Sequence, residues 1–157
     1  MKTRRSSWIV CVLLAYPLAA FARGESPLNC PAGTSQAGGS SSHLKATMCR
    51  TQDEVFHGPY VDYHPNGSIA SRGQYDHGFR SGRWTFFDAA GVKTGETEFA
   101  KGDYHGTRIE FFADGHKKSE TLWRVGKREG MAKVWDARGN LTSTLYRADR
   151  PVVASAK

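Results

Sequence analysis

Eleven glycines of this chain fall into three registers of one 24-residue period. Gly58, Gly82, Gly106 and Gly130 form the first register, Gly67, Gly91, Gly115 and Gly139 the second, and Gly78, Gly102 and Gly126 the third. A period of this length makes each copy a small supersecondary unit that buries its apolar surface against its neighbours. Arg150 stands where a glycine would complete the third register, as suits a terminal, capping copy. The period defines four repeats at 58–81, 82–105, 106–129 and 130–153, within a repeat region at 56–153.

Counted from the first glycine of each repeat, offset 5 is always aromatic: Tyr63, Phe87, Phe111 and Trp135. Offset 17 is aromatic at Tyr75, Phe99 and Trp123 before Arg147 breaks the series, and offset 13 is always small, at Ser71, Gly95, Ser119 and Ser143. Runs such as Arg83-Trp84-Thr85-Phe86-Phe87 are short, aromatic and β-branched and end at turn residues, which predicts strands. Pro65-Asn66-Gly67 and its three counterparts suit a three-residue hairpin loop closed by a glycine at positive φ. Asp76-His77-Gly78 and its counterparts can make the same turn at the opposite edge. The predicted fold is therefore all-β: an elongated single-layer antiparallel β-meander of four 24-residue hairpins. With offset 5 opposite 11 and offset 3 opposite 13, the aromatics at 5 and 17 are expected to share one face. Tyr60 and Trp84 are then expected on the other face, exposed and available for contact. The glycine at offset 0 falls inside a strand, where it marks a bulge or a close approach of backbones.

The pattern Gly82-Arg83-Trp84-Thr85-Phe86-Phe87, followed by Gly91 and Gly102, resembles the MORN (membrane occupation and recognition nexus) repeat in its bacterial variant form. The resemblance covers roughly residues 56 to 150 and is strongest in the two middle repeats. It implies a β-hairpin repeat fold and carries the label of the YwqK-family toxin-antitoxin antitoxins. Tyr60 stands in the first repeat where Trp84 stands in the second, while Arg108 and Ala132 occupy that position in the last two.

Residues 1–22 read as a cleavable secretory signal: Lys2, Arg4 and Arg5, an apolar stretch from Trp8 to about Ala19, then Ala20-Phe21-Ala22 as a small-x-small cleavage site. The 15 residues from Trp8 to Ala22 fall short of the span a transmembrane helix needs. The expected location is periplasmic or secreted. Export leaves Cys30 and Cys49, an even pair in an oxidising compartment, which predicts a disulfide. Residues 23–55 are expected to form a flexible N-terminal segment around that bridge, because Ala37-Gly38-Gly39-Ser40-Ser41-Ser42 has the composition of a linker.

The net charge of +7 falls to +4 when Lys2, Arg4 and Arg5 leave with the signal, and both signs are interleaved through the repeats. No basic stripe for nucleic acid results. Arg124, Lys127 and Arg128 do cluster around one inter-repeat turn, a feature suited to an anionic surface or simply to a solvated turn. The histidines are expected to stay apart: His57 and His105 lie two hairpins from each other, about 20 Å, and His77 sits at the edge opposite His64 and His116. No catalytic, metal or cofactor motif occurs, so no enzyme activity and no cofactor are expected. The sequence thus predicts an exported binding or scaffolding module for another protein, of which an antitoxin or immunity-type role is one version. The alternative is a cell-envelope binder of anionic lipid or glycan. Tyr60, Trp84, Arg124, Lys127 and Arg128 are the predicted contact residues.

Overall fold

The computed structural model describes residues 27–39, 42–43 and 45–152; the predicted signal at 1–22 lies outside them. The chain forms one open antiparallel sheet of 12 strands. The strands are β1 (Ser35–Gly39), β2 (Ala46–Arg50), β3 (Phe56–Tyr63), β4 (Ile69–Asp76), β5 (Phe79–Phe87), β6 (Lys93–Ala100), β7 (Asp103–Phe111), β8 (Lys117–Arg124), β9 (Lys127–Arg128), β10 (Gly130–Trp135), β11 (Leu141–Arg147) and β12 (Arg150–Pro151). They lie side by side in chain order, with β9 and β10 sharing β8 as partner. The expected β-meander of hairpin repeats is what the chain builds, and no helix occurs among the described residues.

Each repeat hairpin closes as its glycine dictates. Gly67 N–H donates to the His64 carbonyl at 2.9 Å and His64 N–H to the Ser68 carbonyl at 2.8 Å. The same two bonds recur at Asp88–Val92, Phe112–His116 and Asp136–Asn140. The closing glycines have φ between +82° and +86°, a conformation that costs glycine nothing. Asx side chains brace these loops: the Asp88 carboxylate accepts from Ala90 N–H and Val92 N–H, both at 2.9 Å.

The turns between repeats differ from expectation. They are two-residue turns with both residues at positive φ: His77–Gly78 (+46°, +86°), Lys101–Gly102 (+52°, +87°) and Val125–Gly126 (+49°, +71°). This type I′ geometry follows the right-handed twist of the flanking strands, which a longer type I loop is not needed to do.

The expected faces are corrected by one extra residue in each of the first three hairpins. In the first three repeats offset 5 does pair with 11, as in Phe87↔Lys93, but offset 13 pairs with 4, as in Asp62↔Ser71, Phe86↔Gly95 and Glu110↔Ser119. Ala70, Thr94 and Lys118 are the extra residues of these bulges. One inserted residue reverses the parity of everything beyond it. Offset 17 therefore shares its face with offset 2, so Tyr60 and Trp84 join Tyr75, Phe99 and Trp123, while Phe87 and Phe111 turn to the other side. The fourth repeat has no bulge and keeps the expected register, Lys133↔Ser143 and Gly130↔Tyr146. Tyr146 then takes the place that Arg147 leaves vacant in the aromatic series. The following turn, Ala148–Asp149, accordingly comes one residue earlier than its counterparts.

The glycines at offset 0 are bulged, as expected. Gly58, Gly82, Gly106 and Gly130 have φ of +106°, +65°, +78° and +86°. The register slips opposite the first three of them, between Met48 and Arg50, between Arg72 and Gln74, and between Thr97 and Phe99.

The N-terminal segment is not a linker in its described part. β1 and β2 extend the sheet beyond β3, and Ala46, Thr47, Met48 and Cys49 are all buried. Gly38 serves close packing here, since a β-carbon on it would lie 1.9 Å from the Ala46 carbonyl oxygen. The Cys30–Cys49 disulfide is present, with a Cα separation of 5.5 Å. It ties residues 30–34 to β2, and Pro31 lies over Gly58, where an added β-carbon would meet the proline ring at 2.5 Å.

Candidate functional site

Parity and bulges place the aromatic side chains in one continuous ladder. Successive ring centroids lie 5.2 Å apart for Phe56–Tyr75, 5.3 Å for Tyr75–Trp84, 6.1 Å for Trp84–Phe99, 5.1 Å for Phe99–Tyr104 and 5.0 Å for Tyr104–Trp123. Most contacts are tilted or edge-to-face, the arrangements that ring quadrupoles favour. Trp84 is its centre. Gly73 on the adjacent strand leaves room for the indole, which would sit 2.3 Å from a β-carbon at that position. The Arg80 guanidinium covers the other side at 4.4 Å from the ring centroid, and the indole N–H donates to the Gln74 carbonyl at 3.1 Å. Trp84 is 0% exposed.

Trp84 is therefore core, not a contact residue on a free face, because the one-residue bulge turned it inward. Tyr60 lies in the same stack, 5.1 Å from Tyr75 and 5.7 Å from Trp84. Burial raises its phenol above the ordinary value, and the nearby Asp62 carboxylate adds to the rise.

Of the predicted basic cluster, Arg124 and Lys127 are exposed across the Val125–Gly126 turn. Arg128 is engaged: its Nε meets Asp149 Oδ1 at 3.0 Å, and its guanidinium lies 4.1 Å from the Tyr146 ring centroid. Hydrogen bonds from the Arg128 backbone N–H and then its side chain hold the Asp149 carboxyl below the usual value. The cluster thus presents two cations rather than three.

The opposite face is polar over its central strands. Arg83 pairs with Glu98 at 3.2 Å and Lys93 with Glu96 at 3.1 Å, while Arg72 and Lys93 lie over the Phe87 and Phe111 rings. Its C-terminal end is different. Leu122, Met131 and Leu145 are 45%, 47% and 38% exposed. Met131 pairs directly with Leu145, and the register Lys133↔Glu120 brings Met131 alongside Leu122. These three side chains make an apolar row across β8, β10 and β11. Sequence reasoning missed it, although a signal was present: Gln74 and Glu98 occupy the position of Leu122 in earlier repeats, and Arg83 and Thr107, after Pro59 in the first repeat, that of Met131.

A groove of about 770 Å³ opens between the tips of the third and fourth hairpins, lined by Phe112, Trp135, Asp114 and Asp136 among others. Its carboxylates are occupied in turn bracing. The His116 backbone N–H holds Asp114 below the usual carboxylate range, and the Asn140 side chain does the same for Asp136. The structure does bring together one set of groups that was expected to stay apart: His57, Asp76 and His77 meet at the edge formed by the first inter-repeat turn. The comparison of His57 with His105 overlooked the turn beside it, to which the register Gly58↔Tyr75 leads directly.

Residues 56–77, the first hairpin, match the family model described as MORN repeat variant. The match supports a MORN-type repeat as the unit that the chain copies. No curated protein matches the sequence. Among solved structures, a chain of the Glycosylation Associate Protein (Gap123) complex from Streptococcus agalactiae is similar at 12% identity and a TM-score of 0.42, over 71% of this chain. The chain spans 20% of the length of that one.

Proposed function

We propose that the protein is an exported, non-enzymatic scaffold that binds another protein through the apolar row Leu122–Met131–Leu145. The exposure of this row on a sheet that no second layer covers among the described residues carries the reading, because contiguous exposed apolar side chains are candidates for partner contact. Exposed Arg124 and Lys127 beside it favour a partner whose apolar patch is bordered by acidic groups. Tyr60 and Trp84 act through the fold. The MORN-type match and the reading of residues 1–22 as a secretory signal support this role, and an antitoxin or immunity-type function is one form of it. A binder of anionic lipid or glycan is the second reading, supported by the same two cations.

Affinity capture from envelope extract with the full chain and with a Leu122→Glu/Met131→Glu variant tests the proposal. The variant is expected to lose the partner while keeping its circular dichroism spectrum. Equal capture by both proteins contradicts the docking row. Salt-sensitive binding to phosphatidylglycerol vesicles, lost on Arg124→Ala/Lys127→Ala substitution, supports the second reading instead.

A further inference from the structure

We propose that His57, Asp76 and His77 form a binding site for one divalent transition-metal ion of the zinc class. His57 lies opposite Asp76 at the mouth of the β3–β4 pair, since Gly58 pairs with Tyr75. The type I′ turn then folds His77 back over the strand ends, at φ +46°. His57 Nδ1 lies 3.4 Å and His77 Nδ1 2.6 Å from Asp76 Oδ1, and the two imidazole centroids are 4.6 Å apart. One ligand atom from each residue falls within 4.8 Å of the others, close enough to share an ion after small side-chain rotations.

The donor chemistry selects the ion. Two imidazoles with one carboxylate suit zinc and its neighbours, whereas magnesium and calcium favour oxygen donors. The His77 backbone N–H donates to His57 Nδ1 at 3.3 Å, so that nitrogen is the acceptor and carries the lone pair that a metal would take. Metal entry exchanges this long hydrogen bond for a coordinate bond. Three protein ligands leave positions open for water or for a donor from a bound partner.

The other repeats act as internal controls. The equivalent positions hold Ser81, Ala100 and Lys101 at the second junction, His105, Arg124 and Val125 at the third, and, with the turn one residue earlier, Glu129, Arg147 and Ala148 at the fourth. Turn formation therefore does not require these residue types, and imidazole pairs with a second imidazole and a carboxylate at the first junction alone among the described residues.

Calorimetric titration of the untagged full chain with zinc chloride tests the site. The wild type is expected to bind one ion, and His57→Ala and His77→Gly should each weaken binding by at least about tenfold. His77→Gly retains the fold because glycine accepts the positive φ of this turn. His116→Ala serves as the control, removing a histidine that has a single carboxylate neighbour, Asp114 at 3.2 Å, and should leave binding unchanged. The proposal fails if the wild type shows no saturable uptake, or if the His57 and His77 variants bind zinc as the wild type does.

Discussion

Replacing Trp84 with alanine is expected to destabilise the protein by about 3 to 5 kcal/mol, the cost of removing a large, fully buried aromatic side chain. The substitution opens a cavity between Gly73 and the Arg80 guanidinium and separates Tyr75 from Phe99, which both touch the indole. It also leaves the Gln74 carbonyl without the donor that reaches it at 3.1 Å. Phe87→Ala should cost less, because that ring is half-buried beneath Arg72 on the polar face. Denaturant titrations followed by far-ultraviolet circular dichroism compare the two variants. A larger loss for Phe87→Ala than for Trp84→Ala would contradict the placement of the core.

Removing the Cys30–Cys49 bridge is the second large effect. The bridge closes a 20-residue loop, for which the chain-entropy model gives about 3 kcal/mol. The Cys30→Ala/Cys49→Ala variant should show a lowered denaturation midpoint. Amides of β1 and β2 are expected to exchange faster while those of β7 and β8 keep their protection, because each element in a linear sheet contacts only its neighbours. In the wild type, denaturation without reductant should expose no free thiol at Cys30 or Cys49. Two free thiols there, or uniform loss of protection across the sheet, would contradict the account.

The glycine period made the hairpins, their tips and the bulges at offset 0 legible, since each of these needs a backbone conformation that side-chain-bearing residues avoid. The bulge at Ala70, Thr94 and Lys118 was not legible. Those three residues have unrelated side chains, because a bulge of this kind is a matter of register and places no common demand on the inserted residue. Yet that one residue decides which face carries the core. Two weak signs were available: Gly73 leaves space for an indole on the neighbouring strand, and Tyr146 stands one position short of the aromatic series, as fits a repeat without the bulge. The contact residues inherited the same error. Once parity is corrected, Trp84 is core, and the apolar row emerges where the polar residues of earlier repeats give way to Leu122 and Met131. The His57–Asp76–His77 cluster was hidden for a different reason, since a two-residue turn brings adjacent elements closer than a comparison between equivalent repeats reveals.

The division of the sheet into a face packed around Trp84 and a face that presents Met131 is open to direct measurement by hydroxyl-radical footprinting of the native chain. Met48 is 2% exposed and Trp84 0%, both on the aromatic side, whereas Met131 on the opposite side is 47% exposed. Methionine and tryptophan are intrinsically reactive toward oxidants, so accessibility governs their relative modification in the folded state. The account predicts rapid oxidation of Met131 with Met48 and Trp84 protected until the protein unfolds. Oxidation of Trp84 at a rate matching Met131 would contradict it.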